Sequence, residues 1–177
     1  EAYTLNQTNY LKDALARFSA GTCSDAYRFM GCHRDVLDGV EGYVFRVWAP
    51  HALSVRVLGR FNEWDVDAPV MERIASGIWE QFVPNAQPYD EYKYYIERPD
   101  GTFVFKSDPY GVHTCTRPET SSKIYELDGF EWTDGEYRAN RSKNNPLTSP
   151  INIYELHLGS WRKHADGNPM TYVEYAH

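Results

Sequence analysis

Trp64 stands in a polar turn, Asn62-Glu63-Trp64-Asp65, where no run of apolar neighbours would bury it. An indole held in such a turn is a flat platform on which a ring-shaped ligand can stack. Lys93, in the alternating stretch Glu91-Tyr92-Lys93-Tyr94-Tyr95-Ile96, carries an ammonium able to donate to hydroxyl groups. The same residues also suit a docking face or plain packing, and both readings stay open at this point. The acidic residues at 63–67 read as a solvated turn. Other combinations carry less. Cys32-His33 invites a metal or nucleophile reading, but no second Cys or His lies at ligand spacing. No metal and no cofactor are assigned. Glu155 and His157 share one face of an apolar run and could serve a substrate rim or a domain interior. No catalytic residue is assigned.

The elements that must position these residues are mostly strands. Residues 42–65 hold two runs, 43–49 and 53–58, in which successive side chains alternate between faces. Pro50-His51 is a short break between them, so the pair reads as an antiparallel hairpin. Arg46 marks its wetter face, while Trp48, Trp79 and Phe82 read as core. Further runs cover 70–74 and 77–83, joined by a tight turn at Ala75-Ser76, then 91–96 and 102–106 around Arg98-Pro99-Asp100-Gly101, and finally 122–127. Seven or eight short strands with no helical period between them predict an all-β fold. The expected architecture is an immunoglobulin-like antiparallel β-sandwich over 26–128, without a disulfide.

Residues 1–25 form an N-terminal segment with Tyr10, Leu11, Ala14, Leu15 and Phe18 at helical spacing. Thr8 or Asn9 would cap this short helix and Gly21 would stop it. Residues 25–41 read as a connector with turn chemistry at Asp38-Gly39. Residues 129–150 are polar and read as a linker. At 151–158 the composition shifts to a strand, followed by a polar loop and a helix-like tail. Residues 151–177 therefore read as the start of a second domain that the chain does not finish. The chain does not begin with methionine, in keeping with a piece of a longer protein.

The composition bounds the partners. The net charge is −7, from 18 basic and 25 acidic residues, which argues against nucleic acid. No run approaches the roughly 18 apolar residues that span a bilayer, so no membrane partner is expected. Aromatics make up 15% of the chain, which favours strands and stackable ligands. Three cysteines without a CxxC pair suit a reduced, cytoplasmic setting.

Seven motifs in order then point to a family. They are FRVWAP (45–50), GRFNEWD (59–65), GIWE (77–80), YKYYI (92–96), KSDPYG (106–111), RPETSS (117–122) and INIYELHLGSWR (151–162). Together they resemble the N-terminal part of bacterial 1,4-α-glucan (glycogen) branching enzymes, from about Tyr27 onward. The resemblance implies a family 48 carbohydrate-binding module, followed by the first strand of an incomplete (β/α)8 barrel. It implies a parent that forms α-1,6 branches by retaining transglycosylation, an activity for which this piece lacks the catalytic carboxylates. Its partners would be α-1,4-glucan (glycogen or amylose) and its own barrel. Phe103 joins Trp64 and Lys93 as a candidate glucan contact, because related modules place a second aromatic there, often Trp. Phenylalanine keeps the flat face and loses the indole donor. Two other readings are a free-standing α-glucan-binding regulatory module and the N-terminal module of a debranching hydrolase. Residues 151–162 discriminate, since a self-contained module has no use for a barrel strand.

Overall fold

Asp38 and Gly39 both lie at positive φ, 52° and 80°. That is the backbone of a two-residue hairpin turn, and it folds β1 (Gly31–Leu37) onto β2 (Val40–Trp48), with Leu37 opposite Val40. The segment expected to be a connector is thus an edge strand. The computed structural model describes residues 6–75, 77–141, 143 and 145–177. By internal contacts they divide into two units, Glu1–Asp128 and Gly129–His177.

The first unit is an antiparallel sandwich. One sheet runs β1-β2-β5-β4, with β4 at Glu72–Ala75 and β5 at Ile78–Val83. The other runs β3-β6-β9-β8, with β7 also on β6. Its strands are β3 (Ser54–Gly59), β6 (Glu91–Glu97), β7 (Phe103–Lys106), β8 (His113–Thr114) and β9 (Ser122–Lys123). The expected 122–127 strand is shorter than its sequence suggested.

The hairpin expected from residues 43–58 does not form. Before the break, the Ala49 amide donates to Gly77 in the first sheet; after it, the Leu53 amide donates to Glu97 in the second. Pro50 and its neighbours therefore carry the chain across the sandwich. Close packing fixes the crossing, because Gly77, at φ +81°, leaves room for Pro50, and a Cβ there would lie 2.5 Å from its Cα. The Ala75-Ser76 turn involves Ser76, which lies outside the described residues.

The core fills the space between the sheets. Tyr43, Phe45, Val47, Trp79 and Val83 from one sheet meet Val55, Val57, Tyr92 and Tyr94 from the other. Phe45 and Tyr92 pack edge to face at 5.0 Å. The first sheet is also covered on its outer side. α1 (Asn6–Ser19) presents Leu11, Ala14, Leu15 and Phe18 to a second cluster with Phe29, Met30 and Ile78. Thr8 and Asn9, expected at the start of this helix, fall within its range. Gly21 follows its end at φ 70°. The Arg17 guanidinium reaches Asp13 and Asp25, each at 2.8 Å, tying the helix to the segment that follows.

Burial on both faces of β2 overturns two expectations. Arg46, expected on the wetter side, is buried, pairs with Glu80 and donates to the Phe29 carbonyl at 3.2 Å. Trp48, expected in the core, is 54% exposed and touches the edge of Phe18 at 6.1 Å. Alternation placed each residue on the right strand, but Glu80 and the Phe29 segment enclose Arg46, while Trp48 stands at the open end of the strand. Trp79 is buried as expected, and Phe82 is half-buried.

In the second unit, α2 (Gly135–Arg141), α3 (Leu158–Trp161) and α4 (Tyr172–Ala176) are short helices. Thr171 and Glu174 form a capping box at the start of α4. The strand expected over 151–158 is not formed: residues 151–157 make no ladder, and Leu158 begins α3. A barrel strand takes its hydrogen bonds from parallel neighbours, and the described residues of this unit hold no other strand. No helix among the described residues is long and apolar enough to cross a membrane.

Candidate functional site

The loop after β3 is held in an uncommon backbone form. Glu63 and Trp64 lie at φ 54° and 60°, a left-handed pair that side chains rarely adopt. The Asn62 side chain compensates by bonding β3 twice, accepting from the Gly59 amide at 2.9 Å and donating to the Val57 carbonyl at 3.0 Å. The Trp64 amide donates back to Gly59 at 3.0 Å. The loop's two aromatics then part. Phe61 packs on the core against Phe45, with ring centroids 5.4 Å apart, while Trp64 stays half-buried beside the end of β3. Strain of this kind persists where surrounding bonds over-determine the geometry, often at ligand sites.

Lys93 and Phe103 share the outer face of the second sheet. On β6 the inward residues are Tyr92 and Tyr94, so Glu91, Lys93, Tyr95 and Glu97 point outward. Phe103 pairs with Glu97 across β6 and β7 and so stands on that same face. Leu58, opposite Lys93 in the ladder, shows how close the Trp64 loop begins, since it immediately precedes Gly59. Lys93 Nζ donates to Thr120 Oγ1 at 2.8 Å, which fixes the ammonium at the edge of the 115–121 loop.

Phe103 is 46% exposed, but one of its faces is taken. It stacks on Tyr95 at 4.8 Å with the rings 13° apart, and Tyr95 also meets Phe105 at 4.7 Å. Tyr95 and Phe105 are site candidates that the sequence reading passed over. The signal was present: each lies two positions from a named residue, hence on the same face of its strand. A groove of about 880 Å³ is lined among others by Cys32, Arg34, Tyr43, Lys123 and Tyr125. None of Trp64, Lys93 or Phe103 lines it. An open face can still hold a stacked ring, because stacking needs one plane and not an enclosure.

None of the three cysteines is in a disulfide, and Cys23 lies against Arg17 and Asp25. Cys32 is held against the core, and burial pushes its thiol well above the ordinary range, so the reactive thiolate is disfavoured. Among the described residues no group of three or more His, Cys, Asp or Glu is placed to hold a metal ion.

Known proteins share the sequence of this chain over most of its length. Residues 29–111 match carbohydrate-binding module 48 (isoamylase N-terminal domain). The 1,4-α-glucan branching enzyme of Bacillus subtilis is 41% identical over 158 residues, 89% of this chain and 25% of that protein. The enzyme of the same description from Parasynechococcus marenigrum is 44% identical over 144 residues, 81% of this chain and 19% of that protein. Over most of its length the chain is similar to 1,4-α-glucan branching enzymes. It spans about a quarter or less of the length of the curated relatives it matches. Its sandwich is the part that matches carbohydrate-binding module 48. Among solved structures, a pullulanase of Paenibacillus barengoltzii complexed with maltohexaose and α-cyclodextrin aligns with TM-score 0.45 and 23% identity, over 55% of this chain and 15% of that one.

Proposed function

We propose that this chain is the glucan-binding and docking part of an enzyme that introduces α-1,6 branches into α-1,4-glucan in the cytoplasm. The observation that carries the reading is the match of nearly the whole chain, sandwich and residues beyond it, to branching enzymes at about 40% identity. Trp64, Lys93 and Phe103 are the proposed glucan contacts. Lys93 and Phe103 share one face, and the loop that carries Trp64 leaves β3 at Gly59, next to the Leu58–Lys93 pair. Tyr95 stiffens Phe103 from behind, leaving a single free ring face for a sugar. The ammonium of Lys93, already placed by Thr120, retains two donors for hydroxyls. Residues 151–177 are proposed as the start of the barrel that would supply catalysis, and that barrel is the module's other partner.

Binding through stacking and hydroxyl hydrogen bonds is weakly screened by salt. Electrophoresis through glycogen-containing gels should retard the chain equally at low and moderate salt. Trp64→Ala should reduce the retardation strongly and Lys93→Ala less so. Equal mobility of Trp64→Ala and the parent would place the contact elsewhere.

Retaining chemistry needs a nucleophilic carboxylate and an acid about 5 Å apart across the scissile bond. In the family these come from barrel strands beyond the one that residues 151–158 resemble. The chain alone is therefore expected to leave amylose unchanged, with no shift in iodine colour and no new reducing ends. Reproducible turnover by the pure chain would overturn the assignment of catalysis to other residues.

A further inference from the structure

Tyr89, His113 and Tyr125 come from three separate segments and meet on the surface. Their ring centroids lie 6.0, 5.7 and 5.1 Å apart, at interplanar angles of 83°, 75° and 58°. The ladder registers place this cluster. His113 pairs with Lys123, and Lys123 pairs with Glu91. Cross-strand partners share a face, so His113 and Glu91 lie on one side of the second sheet, the side of Lys93 and Tyr95. Tyr125 follows the end of β9; its ring meets those of Tyr89 and His113 and also lines the groove beside Tyr43.

The outer face of this sheet therefore carries two aromatic clusters. Tyr95, Phe103 and Phe105 lie toward one end of β6, and Tyr89, His113 and Tyr125 lie beyond the other. Between them runs a polar strip in which Glu91 holds Arg60 at 3.2 Å and Lys123 at 3.9 Å, followed by Lys93. The four steps of β6 from Glu91 to Tyr95 span about 13 Å. A polar strip of that length, with stackable rings at both ends, suits an extended ligand of alternating hydroxyls and apolar ring faces.

Tyr89 adds an independent observation. It lies at φ 69° and is 58% exposed, with its amide donating to the Ile124 carbonyl at 2.8 Å. A bulky residue in the left-handed region costs about 1 kcal/mol or more relative to glycine. Folding alone would be served better by Gly or Asn at this turn. The strain is instead spent on projecting an aromatic ring into solvent.

We infer that Tyr89, His113 and Tyr125 form a second sugar-stacking subsite, and that one α-glucan chain runs across the outer face from this cluster to Trp64, Lys93 and Phe103. The inference rests on the glucan-binding reading above and extends it from a point contact to a track. Long chains engage both ends, and short ones engage only one.

The test uses the full 177-residue chain, titrated with maltotriose and with a long linear maltodextrin. Tyr89→Gly removes the ring and relieves the backbone, so its melting temperature should equal or exceed that of the parent. Its affinity for the long maltodextrin should fall roughly 3- to 10-fold, the range expected for one aromatic stacking contact. Affinity for maltotriose should fall less. Trp64→Ala should weaken both ligands. If Tyr89→Gly and Tyr125→Ala keep parental affinity for the long chain while Trp64→Ala loses it, the second subsite is wrong and the first stands. A lower melting temperature for Tyr89→Gly, with affinity unchanged, would make Tyr89 a packing residue and overturn the inference. If the parent binds neither ligand, both readings fall together.

Discussion

Asp108→Ala is expected to destabilise the sandwich by about 3–5 kcal/mol, because it strands several buried polar groups at once. The Asp108 carboxylate is buried where the sheets meet the 107–111 turn. One oxygen accepts from the Tyr92 hydroxyl at 2.7 Å and the Tyr94 hydroxyl at 3.3 Å; the other accepts from the Tyr110 amide at 2.8 Å. Its own amide donates to Ser122 Oγ at 2.9 Å. The side chain thus ties β6 to the turn, and its backbone ties the turn to β9. Alanine would remove the acceptor for two tyrosines in the core and for one backbone amide, and would leave a cavity beside them. Urea denaturation of parent and variant gives the difference directly. A loss under about 1 kcal/mol would mean that the tyrosines find other partners.

The same residue makes a pH prediction. Burial raises the Asp108 carboxyl above its ordinary value, and the hydrogen bond from Tyr92 offsets this only in part. A folded pKa above the unfolded one, which is about 3.9, means that the folded state binds the proton more readily. The part of its stability that comes from the bound proton is then fullest below the unfolded value and is lost as pH rises through the folded value. Asp108→Asn cannot titrate and serves as the reference. The stability of the parent minus that of the variant should grow as pH falls from 7 toward 4. A difference that shrinks instead would show that the tyrosine hydrogen bonds outweigh burial.

The sequence made some of these relations legible and hid others for physical reasons. Alternation identified β6 because Tyr92 and Tyr94 face the core while Glu91, Lys93 and Glu97 face outward. It reports faces and not partners, which is why residues 43–58 looked like a hairpin although β2 and β3 lie in opposite sheets. Pairing depends on where the chain turns, and the close fit of Gly77 against Pro50 is a contact between segments that no local pattern records. β1 was missed for the opposite reason. His33, Arg34 and Asp35 give an edge strand too polar to stand out, even though Asp38-Gly39 marked its turn. At the candidate site, Lys93 is suggested by the alternating stretch 91–96 and Phe103 only by the family resemblance. Their convergence on one face with Tyr95 required the register of β6 and β7. The strain at Trp64 and Tyr89 is invisible in sequence, because neither residue type predicts a positive φ.

Arg46→Ala separates the sequence reading from the structural one most sharply. On a wet strand face, as alternation alone suggests, truncating an arginine changes stability by less than about 0.5 kcal/mol. In the fold, Arg46 lies beneath the residues that anchor α1, with its guanidinium shared between Glu80 and the Phe29 carbonyl. Removing one partner of a buried pair leaves an uncompensated charge, a loss of about 3–5 kcal/mol when burial is complete. Glu80 keeps 27% of its side chain in solvent and can be partly rehydrated, so about 2–3 kcal/mol is expected here. Replacing both residues, Arg46→Leu with Glu80→Leu, should recover most of that loss, since an apolar pair of similar volume carries no desolvation penalty. The loss should also be felt locally. Phe29 packs against Phe18 of α1 at 6.2 Å, so a shifted Phe29 carbonyl should loosen the helix before the sandwich melts. Hydrogen exchange would show it as faster exchange of the α1 amides at unchanged protection of β6. If Arg46→Ala melts with the parent and α1 exchanges at the parental rate, the guanidinium belongs to the solvent face after all.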